Sequence, residues 1–233
     1  MDRTIYEEAR LYLTGENYHP LNYREGIRLL QAAAQGGDSR AMAHLGQLLF
    51  EGNILLKNQE AALYWFRQAV QVGNEPLAHM YLGDYAFLPI GRPKSEEEAF
   101  YHYGIAARSG LVEAMRMYGS LLYDRGQLAE AFRYLKGAVD GGTREQAHCL
   151  YFMGCVCERK EGPMAGEQHA CRFYEAAARL DHVEAMYSCG RILLRCGDRS
   201  AAENWFSKAA EKGHEGAKKM VKRSRITQII EMI

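Results

Sequence analysis

Six times along this chain, a pair of larger residues sits between alanines, or a glycine and an alanine, and a glycine or its substitute closes the segment. AALYWFRQAVQVG ends at Gly73 and AAENWFSKAAEKG ends at Gly213. The same order recurs as Ala99, His102, Tyr103, Ala106, Ala107 and Gly110, then as Ala131, Tyr134, Leu135, Ala138, Val139 and Gly142. Ala170, Phe173, Tyr174, Ala177 and Ala178 form a copy closed by Asp181, and Gly26, Leu29, Leu30, Ala33, Ala34 and Gly37 form the first. The closing residues lie 36, 37, 32, 39 and 32 residues apart. A unit of this length cannot bury its apolar face alone, so the repeats must stack on one another.

A second signature precedes each of the last five copies. RAMAHLGQLLF, EAMRMYGSLLY and EAMYSCGRILL each place a glycine inside an apolar helical pattern. An interior glycine costs about 1 kcal/mol relative to alanine, so its recurrence needs a structural reason. Gly46, Gly83, Gly119, Gly154 and Gly190 are expected to remove a side chain where a paired helix comes closest. Flanking apolar residues four and one before the glycine and three after it, as in Met186, Cys189 and Leu193, define one helical face. The second helix of each pair is expected to stop at its closing glycine, which can adopt a left-handed cap. Three additional residues between Gly142 and Gly154 predict a longer first helix in that repeat.

The resulting expectation is an all-α, right-handed superhelix of about thirteen helices, six antiparallel pairs and a terminal cap. Residues 1–37 form a degenerate first repeat, 38–213 five full repeats, and 214–233 a capping helix, together one repeat domain of residues 1–233. In KKMVKRSRITQIIEMI, Ile226, Ile229, Ile230 and Ile233 make a stripe that would cover the last repeat or support weak self-association.

Charge narrows the function. Lys plus Arg and Asp plus Glu both number 29, which argues against general binding to nucleic acid or to anionic membrane. The opening MDRTIYEEAR lacks the apolar core of a secretory leader, so a cytoplasmic protein is expected. The six cysteines, at 149, 155, 157, 171, 189 and 196, are then expected to be reduced. Cys155 and Cys157, with Cys149, His169 and Cys171 nearby, have no Cys-x2-Cys pair, so no metal and no other cofactor is expected. No phosphate-binding glycine loop, nucleophile elbow or paired-histidine motif is present, and the chain is read as a non-enzyme.

At these residues the chain resembles the Sel-one-like repeat family, a relative of the tetratricopeptide repeat. Ala41, Leu45, Gly46, Ala62, Trp65, Phe66, Ala69 and Gly73 carry its pattern. Ala185, Gly190, Ala202, Trp205, Phe206, Ala209, Ala210 and Gly213 carry it more fully. The resemblance spans residues of about 23 to 217. It implies a helical solenoid acting as adaptor or scaffold, with loop or capping roles for His182 and His214. A secreted branch of that family staples each repeat with a disulfide; four repeats here contain no cysteine, so that pattern does not carry over.

The resemblance also implies that first helices line the concave side, placing partner-binding residues three and two before each central glycine and one and five after it. Tyr81, Asp84, Met117, Asp124, Tyr151, Phe152, Arg159, Tyr187, Arg191 and Arg195 are the candidates. They suit an extended protein or peptide segment with apolar anchors and an acidic part facing the arginines. The alternatives are an RNA-binding helical-repeat protein and a regulatory subunit of an enzyme complex.

Overall fold

The computed structural model describes residues 4–87, 94–159 and 165–231, with side chains to residue 223. Among these residues there are thirteen α-helices and no strand. The helices are α1 (Ile5–Thr14), α2 (Tyr23–Gln35), α3 (Ser39–Glu51), α4 (Gln59–Gly73), α5 (Pro76–Phe87), α6 (Glu96–Arg108) and α7 (Val112–Asp124). They continue as α8 (Leu128–Asp140), α9 (Gln146–Glu158), α10 (Glu167–Arg179), α11 (Val183–Arg195), α12 (Arg199–Glu211) and α13 (Glu215–Glu231). A short 3-10 turn, Glu16–Tyr18, follows α1. The isoleucine stripe at 226–233 lies outside the residues whose side chains are described.

The chain divides into two compact units, residues 1–114 and 115–233. In the first, α1 packs on α2, α3 on α4 and α5 on α6, and α2–α3 and α4–α5 join successive hairpins. In the second, α9 packs on α10, α11 on α12, α8 on α9 and α10 on α11, while α13 covers α12. Helices α3, α5, α9 and α11 therefore each meet two second helices, their own and the preceding one. That widens their buried faces beyond a single stripe. In α11 the buried set includes Ser188 and Ile192 beside Met186 and Cys189, whereas Leu193 is only half-buried.

The alanines spaced seven apart on the second helices make the contact that small residues permit. Ala62 and Ala69, Ala99 and Ala106, Ala131 and Ala138, Ala170 and Ala177, and Ala202 and Ala209 are all fully buried. Helix starts follow capping chemistry. Asp38 accepts hydrogen bonds from the Arg40 and Ala41 amides, and Asn58, Ser95 and Asp198 cap α4, α6 and α12 in the same way.

Two local expectations are corrected. Gly73 is helical rather than left-handed, and Asn74 takes the left-handed position at φ 48°. Gly73 is needed for space, because a β-carbon there would run into the Ser39 side chain. At the corresponding position of the fifth repeat, Asp181 adopts φ 73° without being glycine. The additional residues before Gly154 do not lengthen a helix either: α9 and α11 each have 13 residues. The insertion forms a turn instead, with Thr143 buried in it.

Candidate functional site

The central glycines determine what reaches the far side of each first helix. A β-carbon at Gly46 would stand 2.6 Å from the Phe66 ring, at Gly83 2.7 Å from Tyr103, and at Gly119 2.8 Å from Leu135. At Gly154 it would stand 2.6 Å from Tyr174, and at Gly190 2.7 Å from Phe206. In these five hairpins the second large residue of the pair thus fills the space above the hairpin's own glycine.

Where that residue is tyrosine, its hydroxyl must find an acceptor beyond the glycine. Tyr103 donates to Asp84 at 2.7 Å in the first unit, and Tyr174 donates to Glu158 at 2.9 Å in the second. Burial raises the Tyr174 phenol above its ordinary pKa and keeps it a donor.

Glu158 also gathers the arginines of α11. Arg191 donates to its two oxygens at 2.8 and 2.9 Å, and Arg195 donates at 2.9 Å. Arg195 further approaches Glu167 at 3.4 Å. One carboxylate therefore holds two guanidinium groups that remain nearly half-exposed, at 41% and 47% of their side-chain surface.

Tyr151 joins this cluster to further ring contacts, its centroid 5.8 Å from that of Tyr174. Phe152 meets Tyr123 edge-on at 5.2 Å and His148 at 4.7 Å, and the Arg159 guanidinium sits over Tyr123 at 4.7 Å. Tyr151 stacks on His182 at 4.6 Å, and Tyr187 stacks on His214 at 4.2 Å. Each histidine uses Nδ1 to accept a hydrogen bond from the following helix, His182 from the Ala185 amide and His214 from the Ala217 amide. Capping and stacking together account for both histidines.

Two of the ten expected partner residues lie in the first unit. Tyr81 is only 7% exposed; its ring stacks on Phe66 at 5.1 Å and its hydroxyl donates to Glu51. Tyr81 is therefore core, because the second residue before the glycine faces the preceding hairpin here. Asp84 is the acceptor for Tyr103. In the second unit, Met117 is half-buried and Asp124 is the exposed last residue of α7. Arg191 and Arg195 meet at Glu158, Phe152 and Arg159 both contact Tyr123, and Tyr151 and Tyr187 each stack on a histidine. Glu158 was missed by sequence reasoning. The signal for it was tyrosine rather than phenylalanine at position 174, which demands a nearby acceptor.

The Sel1 repeat pattern matches the sequence six times, over residues 6–38, 39–74, 76–111, 112–142, 147–182 and 183–214. The chain belongs to the Sel1 repeat family. Its first repeat is thus matched along with the other five. An uncharacterized protein of Neisseria meningitidis serogroup B, NMB1327, is 28% identical over 201 residues, covering 83% of this chain and 40% of the relative. Among solved structures, c5321, a protective antigen of uropathogenic Escherichia coli with an SLR fold, superposes with a TM-score of 0.70 at 21% identity. That match covers 93% of this chain and 47% of c5321. A Sel1 repeat protein from Oxalobacter formigenes gives a TM-score of 0.62 at 25% identity, covering 89% of this chain and 86% of the other. The chain thus spans less than half the length of NMB1327 and of c5321. These likenesses place the chain among Sel1 and tetratricopeptide-like helical solenoids. No helix among the described residues is long and apolar enough to cross a membrane.

Proposed function

We propose that this Sel1 repeat chain is a non-catalytic scaffold that binds a protein or extended peptide on the first-helix face of its second unit. The observation that carries this reading is that one internal carboxylate, Glu158, on the helix that also carries the Tyr151–Phe152 ring pair, holds both α11 arginines, Arg191 and Arg195. A partner's aspartate or glutamate would replace Glu158 on one of them and take a bidentate geometry suited to guanidinium. Phe152 and Met117, both half-buried, would supply apolar contact beside it. YrrB, which shares the fold at 20% identity, is described as a tetratricopeptide-repeat protein with an unusual peptide-binding site. A cytoplasmic adaptor fits this reading.

Affinity capture from extract of the source cells tests it. Wild-type protein is compared with Arg191→Gln/Arg195→Gln and with Arg133→Ala, a change at an exposed position on α8. The proposal expects one or more captured proteins to be lost with the double variant and kept with Arg133→Ala. Undiminished capture by the double variant would move the site elsewhere.

A further inference from the structure

We propose that Cys171, Glu175 and Cys189 form a binding site for a soft divalent cation of the zinc class, at the junction of α10 and α11. Cys171 and Glu175 are one turn apart on α10 and share a face. Cys189 meets them from α11, so the three donors come from successive repeats. Their ligand atoms all lie within 4.8 Å of one another, and Cys171 Sγ is 4.0 Å from Glu175 Oε1. A tetrahedral zinc centre has bonds of about 2.3 Å to sulfur and about 2.0–2.2 Å to carboxylate oxygen, which gives ligand–ligand edges of roughly 3.5–3.8 Å. Small side-chain adjustments bring the donors to that spacing. Two sulfurs and one oxygen select zinc or cadmium over magnesium or calcium.

The surroundings suit an ion with an open position. Cys189 is fully buried, while Cys171 and Glu175 are half-buried and border a pocket of about 430 Å³. Glu167 and Cys196 line the same pocket, and either of them, or a water, could complete four ligands. On binding, both thiols release a proton to solvent and the sulfurs bind as thiolates, leaving a net charge of −1 on cation and ligands together. Arg179, 3.7 Å from Glu175, offsets it. Because the sulfurs bind as thiolates, binding strengthens as pH rises. The absence of Cys-x2-Cys spacing does not bear on this site, because its sulfurs lie on different helices.

Reduced, metal-free protein titrated with Co(II) tests the proposal. The expected result is thiolate-to-cobalt charge-transfer absorption that saturates at one equivalent and is displaced by Zn(II). Cys171→Ser and Cys189→Ser should each abolish it, Glu175→Gln should weaken binding by more than about tenfold, and Cys149→Ser should leave it intact. Circular dichroism verifies that each variant folds. A second measurement needs no variant: Zn(II) should protect Cys171 of the wild-type protein from alkylation, as mapped by mass spectrometry. Absent charge transfer, or absorption unchanged in both cysteine variants, would overturn the site. So would alkylation of Cys171 at the same rate with and without Zn(II), or a Cys171–Cys189 disulfide in place of bound metal.

Discussion

The phenyl ring of Phe206 stands 2.7 Å from the place a β-carbon on Gly190 would occupy. No real β-carbon contact is that short, so the ring and the glycine exclude any larger residue between them. Alanine at 190 would gain about 1 kcal/mol of helix propensity. Overpacking a buried ring typically costs ~1–3 kcal/mol. Because Phe206 is 3% exposed and cannot swing into solvent, the overpacking outweighs the propensity gain, and Gly190→Ala is predicted to destabilise by up to about 2 kcal/mol in urea unfolding. In a Phe206→Ala background the same change should instead stabilise by about 1 kcal/mol. An equal penalty in both backgrounds would show that the two residues do not couple.

Glu158 joins three side chains from α10 and α11, and its loss should be felt as lost stability. Hydrogen bonds to charged groups contribute about 1.5–3 kcal/mol, and partial exposure of the arginines reduces that. Glu158→Gln is therefore predicted to lower stability by about 1–2 kcal/mol, with a smaller difference at high salt. Chemical denaturation at two salt concentrations measures it. This pairing also makes charge reversal of Arg191 and Arg195 a poor probe of binding, since glutamate there would face Glu158. Neutral glutamine is the better replacement.

His79 is 1% exposed and lies in a chain of ring nitrogens. Its Nε2 donates to Asn74 Oδ1 at 2.9 Å, which leaves Nδ1 to accept from His102 Nδ1 at 2.8 Å. Burial first, and the neighbouring His102 second, push its pKa down to about 4. The unfolded chain takes up this proton near the ordinary value of 6.5 while the folded chain does not. Stability therefore falls as pH drops from about 6.5 to about 4, by up to about 1.4 kcal/mol per pH unit. His79→Gln should flatten that part of the stability profile. An unchanged slope would show that His79 does not carry it.

The thiols should react in an order set by burial. Cys196 is exposed, whereas Cys149, Cys157 and Cys189 are fully buried, and burial pushes the Cys157 thiol up to about 11. In metal-free native protein a thiol reagent should modify Cys196 first and the three buried cysteines only as the chain unfolds. Denatured without reductant, the protein should present all six. Fast modification of Cys157 in the native state would contradict the packing around α9.

The repeat and its glycines were legible in the sequence because each is a local pattern copied many times. Periodicity alone placed the large pair, the paired alanines and the central glycine. What the sequence left hidden is set by neighbours from other helices. Tyr81 reads as a groove residue by its spacing from Gly83, yet the preceding hairpin stacks Phe66 against it. The residues added before Gly154 become a turn because α9 starts only at Gln146. Glu158 acquires its partners from α10 and α11, and Cys171 finds Cys189 across two repeats. Neither link is written in any local spacing.

Whether the α9–α11 face carries the partner can be read by photo-crosslinking in the source cells. A benzoylphenylalanine at Phe152 keeps an aromatic side chain there, and the same probe at Lys136, exposed on α8, serves as reference. A discrete cross-linked protein is expected from position 152 and none from position 136. Cross-links from position 136 with none from position 152 would contradict a partner on the α9–α11 face.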